Sequence, residues 1–295
     1  MGSPEAVLQR PTPPNPGRIR RAVARLQALP AFFPAVQHAL RLLEDPLSTS
    51  DHLQQVINSD QALAAGILRY ANSAYFGFYS QVSSTSLAIT LIGRNKIAAL
   101  LHRFLTQELI SMLSGRKPAA RQIREMSLAA ATAAHGLAQR LLRSDKEEIL
   151  LAGLLHDIGE LVLLSQFRSD YEVMLRLADQ MSRSEAEKEV FGVESRLVGK
   201  WLLEAWNFPP LFPAVVEHCP DPWAVSFPGV PLAVIVIVHA ARQLAQAWVE
   251  RHDPQTVADS FSARLLSTLE IDRELLADLY QQLPEQLSRL ESALE

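Results

Sequence analysis

Apolar residues recur at helical spacing along most of this 295-residue chain, and no stretch of useful length alternates apolar and polar residues as a strand does. Ala35, Val36, Ala39, Leu40, Leu42 and Leu43 trace the i, i+3, i+4, i+7 pattern of one buried helix face. Pro34 suits the first turn of that helix, where its missing N–H is no loss. Ser50 and Asp51 offer an N-cap before Leu53, Val56 and Ile57, and Ser59 and Asp60 offer another before residues 62–71. Ser83 to Ser86 precede an apolar run over 87–92 that Gly93 stops, and the pattern resumes over Ile97–Leu113. Further helices are predicted near Arg121–Leu142, Glu147–Leu164, Asp170–Arg183, Glu185–Leu203, Pro210–His218, Val230–Glu250 and Arg273–Glu295, the last broken or kinked at Pro284. The expected fold is therefore all-α, in two packed helical lobes over 18–115 and 116–295, with a hinge at Gly115–Pro118. Residues 1–17, with prolines at 4, 11, 13, 14 and 16, read as an extended tail or linker.

Composition narrows the function classes. A hydrophobic content of 48% supports a substantial core, while 28 basic against 32 acidic residues (net charge −4, pI near 6.1) leave no global field for nucleic acid or an anionic membrane. The single cysteine, Cys219, excludes an internal disulfide framework and any Cys-rich metal site, and fits a reducing cytoplasm. The longest apolar stretch, Val230–Ala241, contains His239 and falls short of the ~20 residues that a spanning helix needs, so it reads as a buried helix. The start of the chain lacks an apolar signal core, which speaks against secretion. Two basic runs, Arg18/Arg20/Arg21/Arg25 and Arg116/Lys117/Arg121/Arg124, read as solvated faces rather than a nucleic-acid footprint. Phosphate-loop, dinucleotide-binding and nucleophile-elbow motifs are all missing, and no cofactor is expected.

The chemistry-bearing run is Leu151-Ala152-Gly153-Leu154-Leu155-His156-Asp157-Ile158-Gly159-Glu160-Leu161. With it come Ile57-Asn58-Ser59-Asp60-Gln61-Ala62-Leu63, residues 68–77 through Tyr70-Ala71-Asn72-Ser73, Val82-Ser83-Ser84, Phe191-Gly192-Val193-Glu194 and Trp206-Asn207-Phe208-Pro209, in that order. Over roughly Ala22 to Glu250 the chain resembles the HDOD family, the HD-related output domain of bacterial signalling proteins. The resemblance implies an N-terminal helical lobe packed on a C-terminal HD-like lobe. It also implies a role as an output module of two-component or second-messenger signalling, for the most part without hydrolase activity.

An active HD phosphohydrolase gathers an upstream His, the His-Asp pair and a downstream Asp around divalent ions that generate hydroxide. Matched to that pattern, His156 and Asp157 supply the pair, whereas the upstream His position falls on Met126, a further His position on Ser195 and the final Asp on Ala241. His135, nine residues after Met126, lies on the opposite helix face. The pair is accordingly expected to be vestigial, hydrogen-bonded internally or to helix ends, with no metal and no catalytic residue. His218 beside Cys219, and His239 within the apolar helix, are the remaining residues that could line the same cleft; His239 reads first as a satisfied core histidine. Asn72-Ser73 reads as a turn-former before the Tyr75–Tyr79 aromatic cluster, itself read as core. Leu283, Leu287, Leu290 and Leu294 mark a partner helix or a packed end.

The resulting expectation is a non-catalytic regulatory output module, not an enzyme, working through contacts with a regulatory protein partner; a small ligand in the cleft stays open. Any receiver domain acts in trans or is joined elsewhere, since nothing here could form one. The alternative is a residual metal-dependent phosphohydrolase acting on a nucleotide or cyclic dinucleotide through His156, Asp157, His218 and His239.

Overall fold

A computed structural model of the protein describes residues 15–26, 33–72, 81–98, 100–101, 103–104, 118–141, 146–206, 208–223 and 230–294. Their regular structure is all helical, joined by turns and short loops, with no strand among the described residues. The tail over 1–14, the aromatic cluster over 75–79 and the hinge residues 115–117 lie outside them.

The chain enters through α1 (Pro16–Arg25), whose first orphan N–H groups are met by Asn15, its side chain accepting from the Arg18 backbone. Pro16 and Gly17, which the sequence places in the extended segment, are the first helical residues, because proline at N1 is already set for helix entry. There follow α2 (Phe33–Glu44), α3 (Ser50–Asn58), α4 (Gln61–Ala71) and α5 (Thr85–Ile92). Asp60 caps α4, but α3 is capped by Thr49, one residue ahead of the pair predicted for it. Gly93, at φ 85, ends α5 in a conformation that other residues resist. Val36, Ala39, Leu53, Ile57, Ile67, Ala88 and Ile89 are buried between these helices.

Two polar devices join the pieces. Asn72 reaches beyond its own turn: its amide donates to the Leu68 and Val82 carbonyls and its Oδ1 accepts from the Val82 N–H, at 2.7–2.8 Å. Arg94 donates to the Leu42 carbonyl (2.7 Å), the Ser48 carbonyl (3.2 Å) and the Ser48 hydroxyl (2.7 Å), satisfying carbonyls that the end of α2 leaves open.

The second half holds α6 (Pro118–Leu141), α7 (Lys146–Leu155), α8 (Ile158–Gln166), α9 (Arg168–Ala178), α10 (Arg183–Phe191), α11 (Ser195–Ala205), α12 (Leu211–His218), α13 (Leu232–Val249), α14 (Pro254–Ser260), α15 (Ala263–Leu269) and α16 (Arg273–Leu294). Two predicted helices are each two. Glu147–Leu164 breaks at His156–Asp157, and Glu185–Leu203 breaks where Gly192 turns left-handed at φ 72. The short α14 and α15 carry too few apolar repeats to be seen by periodicity, although Asp253 and Ser262 cap them in the ordinary way. α16 runs on through Pro284 rather than ending there, and Leu283 and Leu287 are buried.

The packing of this half rests on small residues. Ala130, Ala131 and Ala134 of α6 meet Gly153 of α7 so closely that a Cβ on Gly153 would lie 2.9 Å from the Ala130 carbonyl oxygen. α13 crosses α6 and is the core helix: Ile235, Val236, Ile237, Val238, Ala240, Ala241, Leu244 and Ala245 are buried. By length and composition alone α13 is apolar enough to cross a membrane; 56% of it is buried inside the protein.

α1 packs on α11 and α8. Ile19, Ala22 and Val23 are buried, Arg18 pairs with Asp170 at 2.8 Å and stacks 4.5 Å over Phe167, and Arg20 stacks 4.1 Å over Trp201. Part of the first basic run thus has partners within the protein.

Candidate functional site

The His-Asp pair occupies the corner between α7 and α8. The His156 side chain is fully buried, and its Nδ1–H donates at 2.7 Å to the Gly153 carbonyl, one of those that the end of α7 leaves unpaired. A carbonyl can only accept, so Nδ1 bears a hydrogen, and Nε2 points away from that carbonyl. Nε2 lies 3.0 Å from Asp157 Oδ2 but off the line of a hydrogen bond, and it has no hydrogen-bond partner. Asp157 stands at the N-cap of α8 without bonding its backbone, leaving the carboxylate to the corner. Burial works to raise its pKa, yet His156 first, then Arg242 and Arg183, hold the carboxyl well below the usual range.

Gly159 sets the second wall. A Cβ there would lie 1.9 Å from the Ser195 carbonyl oxygen and 2.5 Å from the Gly199 nitrogen, so α8 and α11 cross backbone to backbone. That crossing brings the start of α11, Ser195 included, against the corner.

Between the walls lies a cavity of about 140 Å³, lined among others by His156, Asp157, Glu160, Arg183, Glu187 and Arg242. Glu160 is one turn beyond Asp157 on the same helix face and accepts from the Tyr171 hydroxyl and from Arg183, while Arg183 also donates to the Tyr171 oxygen at 2.9 Å. Burial pushes the Glu160 carboxyl up to about 7 against the pull of Arg183, and the Asp157 charge adds to the rise. Glu187, also raised by burial, accepts from the Ser195 N–H at 2.7 Å and lies 3.7 Å from Arg183. On the outer rim Arg196 grips Glu194 with two bonds of 2.9 Å, and the Ser184 hydroxyl donates to the same carboxylate. Arg196 holds Glu194 at about 2.

Of the other candidates, Ser195 alone lines the cavity. Met126 is half-buried and packs on the core, Ala241 is fully buried, and Ser195 lines the cavity through an atom set that contains no ligand stronger than a hydroxyl. His135 contacts Gln139 one turn along α6. His218 lies 3.2 Å from Glu217, and His239 donates from Nδ1 to the Cys219 carbonyl at 2.6 Å while its Nε2 meets Gln243 at 2.7 Å. Neither is among the cavity's lining residues. Cys219 is buried, which pushes its thiol up to about 12.

The model of the HDOD domain matches residues 29–222. The chain belongs to the HDOD family. Solved structures with the same fold include an HDOD domain protein of unknown function from Geobacter sulfurreducens, at 21% identity and a TM-score of 0.65 over 94% of this chain and 98% of that one. A protein from Shewanella amazonensis, provisionally named a phosphohydrolase, aligns at 21% identity and a TM-score of 0.67, covering 95% and 98%. One from Marinobacter aquaeolei, provisionally named a signal transduction protein, aligns at 21% and 0.65, covering 94% of this chain and 64% of its own. No curated protein matches.

A catalytic metal of the HD type wants about three protein ligands and an open position. The residues present do not fit one: no three His, Cys, Asp or Glu side chains converge in a metal-holding group among the described residues, and Arg242 faces the one carboxylate of the pair. Sequence reasoning on this HDOD chain missed Glu160, Tyr171, Arg183, Glu187 and Arg242. Glu160 was readable, three residues beyond Asp157; the others come from helices whose crossing no local pattern announces.

Proposed function

We propose that this HDOD protein is a non-catalytic regulatory module of bacterial signalling, in a two-component or second-messenger pathway, acting in the cytoplasm through contacts with a protein partner. The observation that carries the reading is the donor set: among the described residues His156 and Asp157 are joined by no third ligand, and the positions matching the family's other ligands are Met126, Ser195 and Ala241. Among the fold relatives, the signalling description fits this donor set better than the phosphohydrolase one. The test is turnover of phosphomonoester, phosphodiester, nucleotide and cyclic dinucleotide substrates with manganese, magnesium and iron. No turnover is expected with any of them. Sustained turnover that chelator removes and Asp157→Asn abolishes overturns the reading in favour of a metal-dependent phosphohydrolase.

A further inference from the structure

A buried carboxylate has to be balanced by nearby positive charge. In an HD site the balance comes from metal ions, and among the described residues no donor set gathers one. Three guanidinium groups line the cavity. Arg183 is committed to Glu160, Tyr171 and Glu187, and Arg196 to Glu194 and the Glu217 carbonyl. Arg242 differs from both. Its Nε is buried, lacks a hydrogen-bond partner and lies 4.0 Å from Asp157 Oδ1. It follows Ala241 on α13, one residue past the position where the family pattern places its last acidic ligand, and its long side chain reaches the cavity that Ala241 does not line.

We propose that Arg242 is a built-in cation that takes the place of a metal ion beside Asp157. A guanidinium cannot be deprotonated at any physiological pH and, unlike an ion, cannot be lost to chelation. It neutralises the carboxylate permanently and repels a divalent cation from the same oxygens. The corner then keeps the local charge balance of a metal-loaded HD site without the water activation that a metal supplies. This rests on the non-catalytic reading above and deepens it.

The experiment is a manganese titration of the full chain, with free ion followed by electron paramagnetic resonance, for the unmodified protein, Arg242→Ala, Arg242→Gln, Arg242→Lys and Arg242→Ala with Asp157→Asn. Helical circular dichroism shows which variants are folded; Gln keeps the reach of the side chain and serves where Ala does not fold. Removing the charge is expected to tighten manganese binding about tenfold or more, equivalent to ~1.4 kcal/mol. Lys, which keeps the charge, is expected to leave it weak, and Asp157→Asn to cancel the gain. A folded Arg242→Ala or Arg242→Gln that binds manganese no better than the unmodified chain overturns the proposal, as does a gain that survives Asp157→Asn. The two readings fail separately. Metal-dependent turnover by the unmodified chain defeats the non-catalytic reading, whereas equal manganese affinity with and without the guanidinium defeats this one.

Discussion

Two polar clusters share one cavity and are built to opposite standards. Around Glu160 the bonds are closed: Tyr171 donates to it, Arg183 donates to both, and Arg183 continues to Glu187, which in turn receives the start of α11. Around Asp157 they are open. His156 Nε2 and Arg242 Nε are buried without hydrogen bonds, although each lies within 4.0 Å of the carboxylate. Buried polar groups are usually satisfied, and each exception calls for a cause. The closed cluster locks α8, α9 and α10 together, as a structural joint should. The open one holds Asp157 by nearby charge rather than by directed bonds.

The largest effect should come from the crossing that both clusters depend on. Gly159→Ala puts a methyl group into the Ser195 backbone, where no side chain can yield, and should cost more than about 3 kcal/mol. The check is the urea midpoint followed by circular dichroism; a loss below 1 kcal/mol by the same scale would mean that α8 and α11 slide apart easily. Next, Tyr171→Phe turns the closed cluster partly open by removing one donor from buried Glu160. It should destabilise the protein by about 1–3 kcal/mol, the cost of leaving a buried polar group one partner short. No measurable loss would erase the contrast drawn between the clusters.

The smallest effect concerns the rim and depends on pH. Arg196 lowers the Glu194 pKa from its ordinary value of 4.5 to about 2, so the folded state favours the ionised form. Its stabilisation is complete above 4.5 and fades as the pH falls from there through 2. Glu194→Gln should therefore be less stable than the unmodified chain near neutrality, with the gap narrowing in acid. A gap that widens in acid would mean that the pair does not hold in solution.

How much of this was legible varies with the kind of signal. Helix starts at Asp60 and Ser84, and the stop at Gly93, were readable because a cap is a local bargain between one side chain and its neighbouring amides. The breaks inside Glu147–Leu164 and Glu185–Leu203 were not, since apolar residues continue across both corners and periodicity counts residues without seeing the chain turn. Gly192 was the available clue for the second. At the site, Asp157 and Glu160 could be placed on one face from their spacing alone. Arg242 could not: whether a long cation on α13 points at a carboxylate on α8 depends on how α13 lies across α6, which rests on residues far apart in the chain.

The docking of α1 has a consequence for how the molecule is made. Arg18 and Asp170 are 152 residues apart, so α1 has no surface of its own docking site to settle on until α9 and α11 exist. At roughly 5–20 residues per second it waits about 9–36 s during synthesis for Trp201 on α11, its apolar face of Ile19, Ala22 and Val23 uncovered. A contact that closes so long a loop should form late, after the transition state for folding the second half. Deleting α1 should then speed unfolding and leave refolding of the remainder at nearly its former rate, which stopped-flow measurement of both limbs can read. That outcome would make the helix a latch fastened last and opened first, guarding the lifetime of the folded protein more than its assembly.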